Sequence, residues 1–76
     1  MALLRHFEDA IADLDEAIRR KPDYAEAYYI RGIAKRNLDR TVEARDDFQT
    51  ALELAEKQRN SDLAELARRA LSDLGD

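Results

Sequence analysis

Two helix-length runs joined by three polar residues constrain this chain more than anything else in it. Residues 25–38 read A-E-A-Y-Y-I-R-G-I-A-K-R-N-L, residues 39–41 read D-R-T, and residues 42–54 read V-E-A-R-D-D-F-Q-T-A-L-E-L. A connection this short makes consecutive helices antiparallel neighbours, an αα-hairpin. Small residues stand where the two axes must approach, Ala27 and Gly32 on the first run, Ala44 and Ala51 on the second. Tyr28, Leu38, Phe48 and Leu52 supply the bulk between them. A glycine inside a helix costs about 1 kcal/mol relative to alanine, so Gly32 reads as a close-packing residue.

Composition narrows the class. The chain has 76 residues, no cysteine, one proline and two glycines, and is rich in Ala, Leu, Glu, Asp and Arg, which favours one all-α domain. Its net charge of −4 is mixed in sign along the chain, with no basic stripe to follow a phosphate backbone, so nucleic acid is not an expected partner. No apolar run reaches the roughly 20 residues of a membrane span, and Met1-Ala-Leu-Leu is too short for a signal peptide's apolar core. The lack of cysteine fits a cytoplasmic location.

A first helical run is expected from about His6 to Arg20, with Phe7, Ala10, Ile11, Leu14, Ala17 and Ile18 on one face. Acidic residues come early in it and Arg19, Arg20 and Lys21 come late, which suits the helix dipole. Asp15–Arg19 and Glu16–Arg20 are i,i+4 pairs worth a few tenths of a kcal/mol each. Pro22 ends the run, and Asp23 with Glu26 three residues later predicts a capping box for the next helix. A last run, from about Ser61 to Leu74, follows K-Q-R-N, with Asn60 or Ser61 as N-cap and Leu63, Leu66, Ala67, Ala70, Leu71 and Leu74 apolar.

A shift of about 34 residues lays Leu4 on Leu38, Ala10 on Ala44, Asp13 on Asp47, Leu14 on Phe48, Ala17 on Ala51 and Ile18 on Leu52. A shift of 35 lays Leu63 on Tyr28, Ala67 on Gly32 and Ala70 on Lys35. Y28-Y-I-R-G-I-A with A44-x-x-x-F-x-x-A-L resembles the tetratricopeptide repeat. Asp39 stands where that family usually has a turn glycine, Lys35 where it often has an aromatic, and Glu56 where it often has a proline.

The resemblance implies an all-α fold of antiparallel helical hairpins, about four helices forming a short right-handed α-solenoid, with a four-helix bundle as the alternative. Residues 1–22 would hold the second helix of a partial repeat whose first half is reduced to the stub Met1–Leu4, residues 23–58 a full repeat, and residues 59–76 a cap helix.

Little points to catalysis. His6 is the only histidine, there is no cysteine, and no glycine-rich loop is present for a phosphate. Asp46 and Asp47 are adjacent and would diverge by about 100° on a helix, so they cannot flank one reacting atom. The expectation is a non-enzyme without metal or cofactor. Arg31, on the hairpin's inner side, is expected to pair with Asp13 or Asp47, or to extend its head to water.

In the family, the first helix of each repeat lines a concave surface where peptide or helical segments dock. Carried over to this chain, the resemblance implies a partner-binding surface of Glu26, Tyr29, Ile30, Ile33, Arg36, Asn37 and Arg68, with Ala64 and Leu71 beside them. Tyr29, Ile30 and Ile33 are expected on a face that the hairpin itself does not bury, either open to a partner or packed against the first helix or a second copy of the chain. The implied function is protein–protein interaction with a protein or peptide partner. The alternative is a scaffold or assembly element that self-associates through its repeat ends and concave face, and a homo-oligomer is expected because one and a half repeats fall short of the usual three.

Overall fold

The computed structural model describes residues 2–75, with side chains from residue 6 onward. Four helices follow in order: α1 (Ala2–Arg20), α2 (Ala25–Asn37), α3 (Thr41–Lys57) and α4 (Ser61–Asp73). No strand occurs among the described residues, and the fold is all-α. Helix α1 begins four residues before the His6 expected from sequence. The equivalence of Leu4 with Leu38 and the cover offered by the stub Met1–Leu4 involve side chains outside the described residues.

Consecutive helices run antiparallel. Along α2 and α3, Ala25 shares a core cluster with Ala55, Gly32 meets Phe48, and Lys35 reaches Asp47 and Glu43, so one index rises as the other falls. Along α3 and α4, Ala55 packs with Leu63 and Ala64, and Phe48 with Ala70. The result is a slab of 38 × 32 × 17 Å.

The core is built on alanine. Ala44, Ala51, Ala55 and Ala67 are wholly buried, as is Phe48, the one large side chain with no exposure among the described residues. Full burial of a phenylalanine stabilises by about 2–3 kcal/mol, and the alanines let the axes close around that ring. Ala25, Ala34 and Ala64 join them below 5% exposure.

The connections show why each helix stops. Lys21 to Tyr24 form a turn in which the Tyr24 N–H donates to the Lys21 carbonyl at 3.0 Å. Pro22 takes the second position of that turn, where its fixed φ is preferred, and this draws Asp23 into the turn as well. The expected capping box is therefore not formed: Tyr24 is the N-cap of α2 and makes no side-chain capping bond. Among the described residues, α4 has a side-chain cap of the kind expected, with Asn60 Oδ1 accepting from the Leu63 N–H at 3.2 Å.

Helices α2 and α3 end in the same way. Asp39 has φ 62° and Arg59 has φ 58°. After α2, the Asp39 N–H donates to the Arg36 carbonyl and the Arg40 N–H to that of Lys35; after α3, the Arg59 N–H donates to the Glu56 carbonyl and the Asn60 N–H to that of Ala55. Both are Schellman motifs, in which a left-handed residue lets two N–H groups satisfy the last carbonyls. Asp39 thus adopts the conformation for which a turn glycine is usual.

The helix starts also revise the internal alignment. Helices α2 and α4 are both 13 residues long and begin at residues 25 and 61, a shift of 36 rather than 35. The physical source is the far end of α3, which runs to Lys57, past the point 34 residues beyond the end of α1 at Arg20. With this register, buried Leu63, Ala67 and Ala70 of α4 correspond to Ala27, Arg31 and Ala34 of α2.

Candidate functional site

Tyr29, Ile33 and Arg36 lie three to four residues apart on α2, so they form one column. The column stands over Phe48. The rings of Tyr29 and Phe48 are 5.7 Å apart at 50°, Ile33 packs against the cluster of Ala44, Phe48 and Ala70, and the Arg36 guanidinium carbon is 6.0 Å from the Phe48 ring centre. Leu71 and Leu74 of α4 touch the same cluster, and Tyr29 also packs against the cluster of Ala25, Ala55, Leu63 and Ala64. Tyr29, Ile33 and Arg36 are consequently half-buried. This corrects the expectation that Tyr29 and Ile33 lie outside the core: their inner sides pack on clusters centred on Phe48 and Ala55 of α3.

The other expected site residues separate into two groups. Ile30 is the exposed apolar one, at 49%. Glu26 is exposed and borders a small cleft with Tyr24, Gln58 and Asn60, where Gln58 Nε2 donates to the Asp23 carbonyl at 2.7 Å. Asn37 is exposed and its Nδ2 donates to the Ile33 carbonyl at 2.8 Å, so it is occupied in finishing its own helix. Arg68, on α4, pairs with Glu56 of α3 at 2.8 Å. That pair walls an open groove of about 390 Å³ floored by Ala55 and Ala64, with Arg59 and Asn60 at its end. Ala64 is buried at 4% and makes the floor rather than an exposed contact; Leu71 is half-buried against Ile33's cluster.

A charge network lies on the other side of α2. Asp47 is 4% exposed, and Arg31 clasps it with Nε at 2.8 Å and Nη2 at 2.7 Å. Lys35 Nζ stands 3.2 Å from the same carboxylate. The remaining Arg31 nitrogen, Nη1, donates to Asp15 of α1 at 2.7 Å, and the guanidinium lies 5.2 Å from the Tyr28 ring centre. The hydrogen bond to Asp47 raises the Arg31 pKa, burial opposes it, and Asp15 adds to the rise. An Arg fork matched to a carboxylate is the strong form of such a pair.

Of the partners expected for Arg31, Asp47 is found, whereas Asp13 is exposed and Asp15 takes its place. The expected Asp15–Arg19 pair is replaced as well, since Arg19 and Arg20 both bind Glu16. The pairing of Lys35 with Asp47 is not among the sequence expectations, although its place one turn after Arg31 is a signal for it.

Among the described residues, no three or more His, Cys, Asp or Glu side chains are grouped to hold a metal ion, and no helix is long and apolar enough to cross a membrane. The family model of the tetratricopeptide repeat matches residues 25–58, which are α2, α3 and the turns that bound them. Repeats of this family are in general protein–protein interaction modules without catalytic activity. No curated protein and no solved structure matches the chain.

Proposed function

The chain carries a tetratricopeptide repeat at residues 25–58, and from that premise we propose that it seats a peptide or helical segment of a partner protein along the α2 column and the neighbouring wall of α4. The observation that carries this reading is the column of Tyr29, Ile33 and Arg36, braced from beneath by a wholly buried Phe48. Rigid, half-exposed aromatic and aliphatic groups over a packed floor are the usual anchors of protein interfaces. Because Phe48 and its cluster hold them in place, they lose little side-chain freedom when a partner binds.

Charge selects the partner's chemistry. Arg36 closes one end of the column, and Arg59 and Arg68 border the groove on α4, with Glu56 as the groove's acidic member. A short amphipathic segment with its apolar side on Tyr29 and Ile33 and acidic residues at its margin complements this surface. Nothing in the site supplies a nucleophile with a base beside it, so the proposed role is recognition alone.

The test is fluorescence anisotropy with labelled amphipathic helical peptides, acidic at their flanks, against basic and scrambled versions. Saturable binding is expected for the acidic set, weakened by Arg36→Glu and by rising salt. Equal binding of acidic and basic peptides would refute the assignment.

A further inference from the structure

Helices α1 and α3 are equivalent by sequence, yet they are not equally covered. Ala44, Phe48 and Ala51 of α3 have no exposure, enclosed by α2 and α4. Their counterparts 34 residues earlier, Ala10, Leu14 and Ala17, are only half-buried, and among the described residues the principal neighbour of α1 is α2. Asp13 is exposed where its counterpart Asp47 is buried between Arg31 and Lys35. The side of α1 that points to α2 is well filled, with Ile11 at 8% exposure and Asp15 bonded to Arg31. The open strip is thus Ala10, Asp13, Leu14 and Ala17, at three- and four-residue spacing on one face.

We infer that this strip is covered by the same strip of a second copy, α1 against α1 in antiparallel fashion about a two-fold axis. Three observations select this occupant. In antiparallel order, Ala10 of one chain falls opposite Ala17 of its partner copy, so small residues meet small residues at both ends of the contact and the axes approach closely. Leu14 then lies near its own symmetry mate at the centre. Exposed Asp9 lies on one margin of the strip toward one end, and exposed Arg20 on the same margin toward the other; an antiparallel pair brings each beside the other's counterpart, twice by symmetry. Arg20 already shares Glu16 with Arg19 and has donors to spare.

Helix α4 argues against the other way of joining copies, end to end. The residues of α4 that correspond to Tyr29, Gly32, Ile33 and Arg36 at the shift of 36 are Glu65, Arg68, Arg69 and Ser72. All four are exposed and polar. The face that α2 offers to α3 therefore has no apolar equivalent on α4, and α1 of another copy finds no seat there.

The experiment combines sedimentation velocity with disulfide trapping, which is clean because the chain has no cysteine of its own. The chain is expected to dimerise in the micromolar range. Ala17→Arg, which adds bulk and charge to the open strip without entering the core, is expected to leave a helical monomer by circular dichroism. Asp9→Arg and Arg20→Glu should each weaken the dimer by about tenfold, since each is felt twice across a two-fold, and the double exchange should restore it. On mixing, Ala10→Cys and Ala17→Cys chains should crosslink to each other faster than either does to itself. A monomer at all concentrations, preferential self-crosslinking of either variant, or a dimer dissolved by Leu66→Glu on α4 but not by Ala17→Arg would each overturn the inference. If Ala17→Arg lost its helicity, the charge exchange and the crosslinking pattern would still decide the matter.

Discussion

Gly32 lies directly beneath the ring of Phe48: a Cβ added at residue 32 would stand 2.7 Å from Phe48 Cε1 and 2.8 Å from Cδ1. The ring cannot retreat, because it is wholly buried against Ala44 and Ala70. Gly32→Ala gains about 1 kcal/mol of helix propensity, but overpacking a filled site costs about 1–3 kcal/mol. A net loss in urea-monitored stability is expected, with a larger loss for Gly32→Leu. In Phe48→Leu, which makes room, the Gly32→Ala penalty should disappear, and an unchanged penalty there would contradict the contact.

Arg31 ties three helices together through Asp15 on α1 and Asp47 on α3, and its two bonds are unequal. Asp15 is exposed, and exposed pairs contribute about 0–1 kcal/mol. Asp47 is buried, and stripping a buried carboxylate of its partner costs about 3–5 kcal/mol. Lys35 remains to compensate part of that. Arg31→Leu is therefore expected to destabilise the fold by about 2–3 kcal/mol in chemical denaturation, and Asp15→Ala by less than about 1 kcal/mol. Equal effects would show that the buried contact carries no special weight.

Asp39 and Arg59 both hold left-handed backbone, which costs a residue bearing a Cβ about 1–2 kcal/mol, less for Asp than for other types. Each closes a Schellman motif that needs only backbone groups. Arg59→Gly should raise the stability by about 1 kcal/mol and Asp39→Gly by less, with unchanged denaturant slope. Destabilisation by both would mean that their side chains, rather than their φ angles, hold the turns.

Two exposed carboxylates give the chain a shallow acid dependence. Glu43 is held below its ordinary pKa chiefly by its hydrogen bonds to Arg40, and Glu16 by those to Arg19 and then Arg20. A carboxylate whose folded pKa is depressed contributes stability that is complete above its unfolded value, near 4.5 here, and that is lost as pH falls through the folded value. Denaturation midpoints should thus be flat near neutrality and decline below about pH 4.5. Glu43→Gln with Glu16→Gln should lessen the decline.

Much of this architecture is legible in the residues because helical periodicity and short connections leave few alternatives. The α2–α3 hairpin and the Gly32 crossing follow from local pattern, and Asp47 was one of the alternatives that the sequence left open for Arg31. What escaped depends on competition between neighbours or on distant geometry. Pro22 drew Asp23 into a turn and cost it the cap. Asp15 rather than Asp13 meets Arg31, a choice set by the crossing of α1 and α2, which no local pattern encodes. The α4 register turned on how far α3 continues past the repeat length. The half-burial of Tyr29 and Ile33 reflects their packing on the cluster around Phe48 of α3, a contact between helices that the spacing within α2 does not report.

That burial changes what substitution of the column does. Tyr29→Ala removes a side chain shared by two core clusters and is expected to cost about 1–3 kcal/mol of stability. Ile30→Ser, at an exposed position, should cost less than about 1 kcal/mol. Ile30→Ser and Arg36→Glu are therefore the informative variants for binding, and thermal melts of the free chains establish which comparisons are fair.

The most direct measurement is amide chemical-shift mapping of the labelled chain during titration with the acidic amphipathic peptide. The account predicts that perturbations gather on Glu26, Tyr29, Ile30, Ile33 and Arg36 of α2 and on Arg68 of α4, and that Ile30→Ser and Arg36→Glu reduce them. Perturbations confined to the open strip of α1, or spread evenly over all four helices, would contradict it.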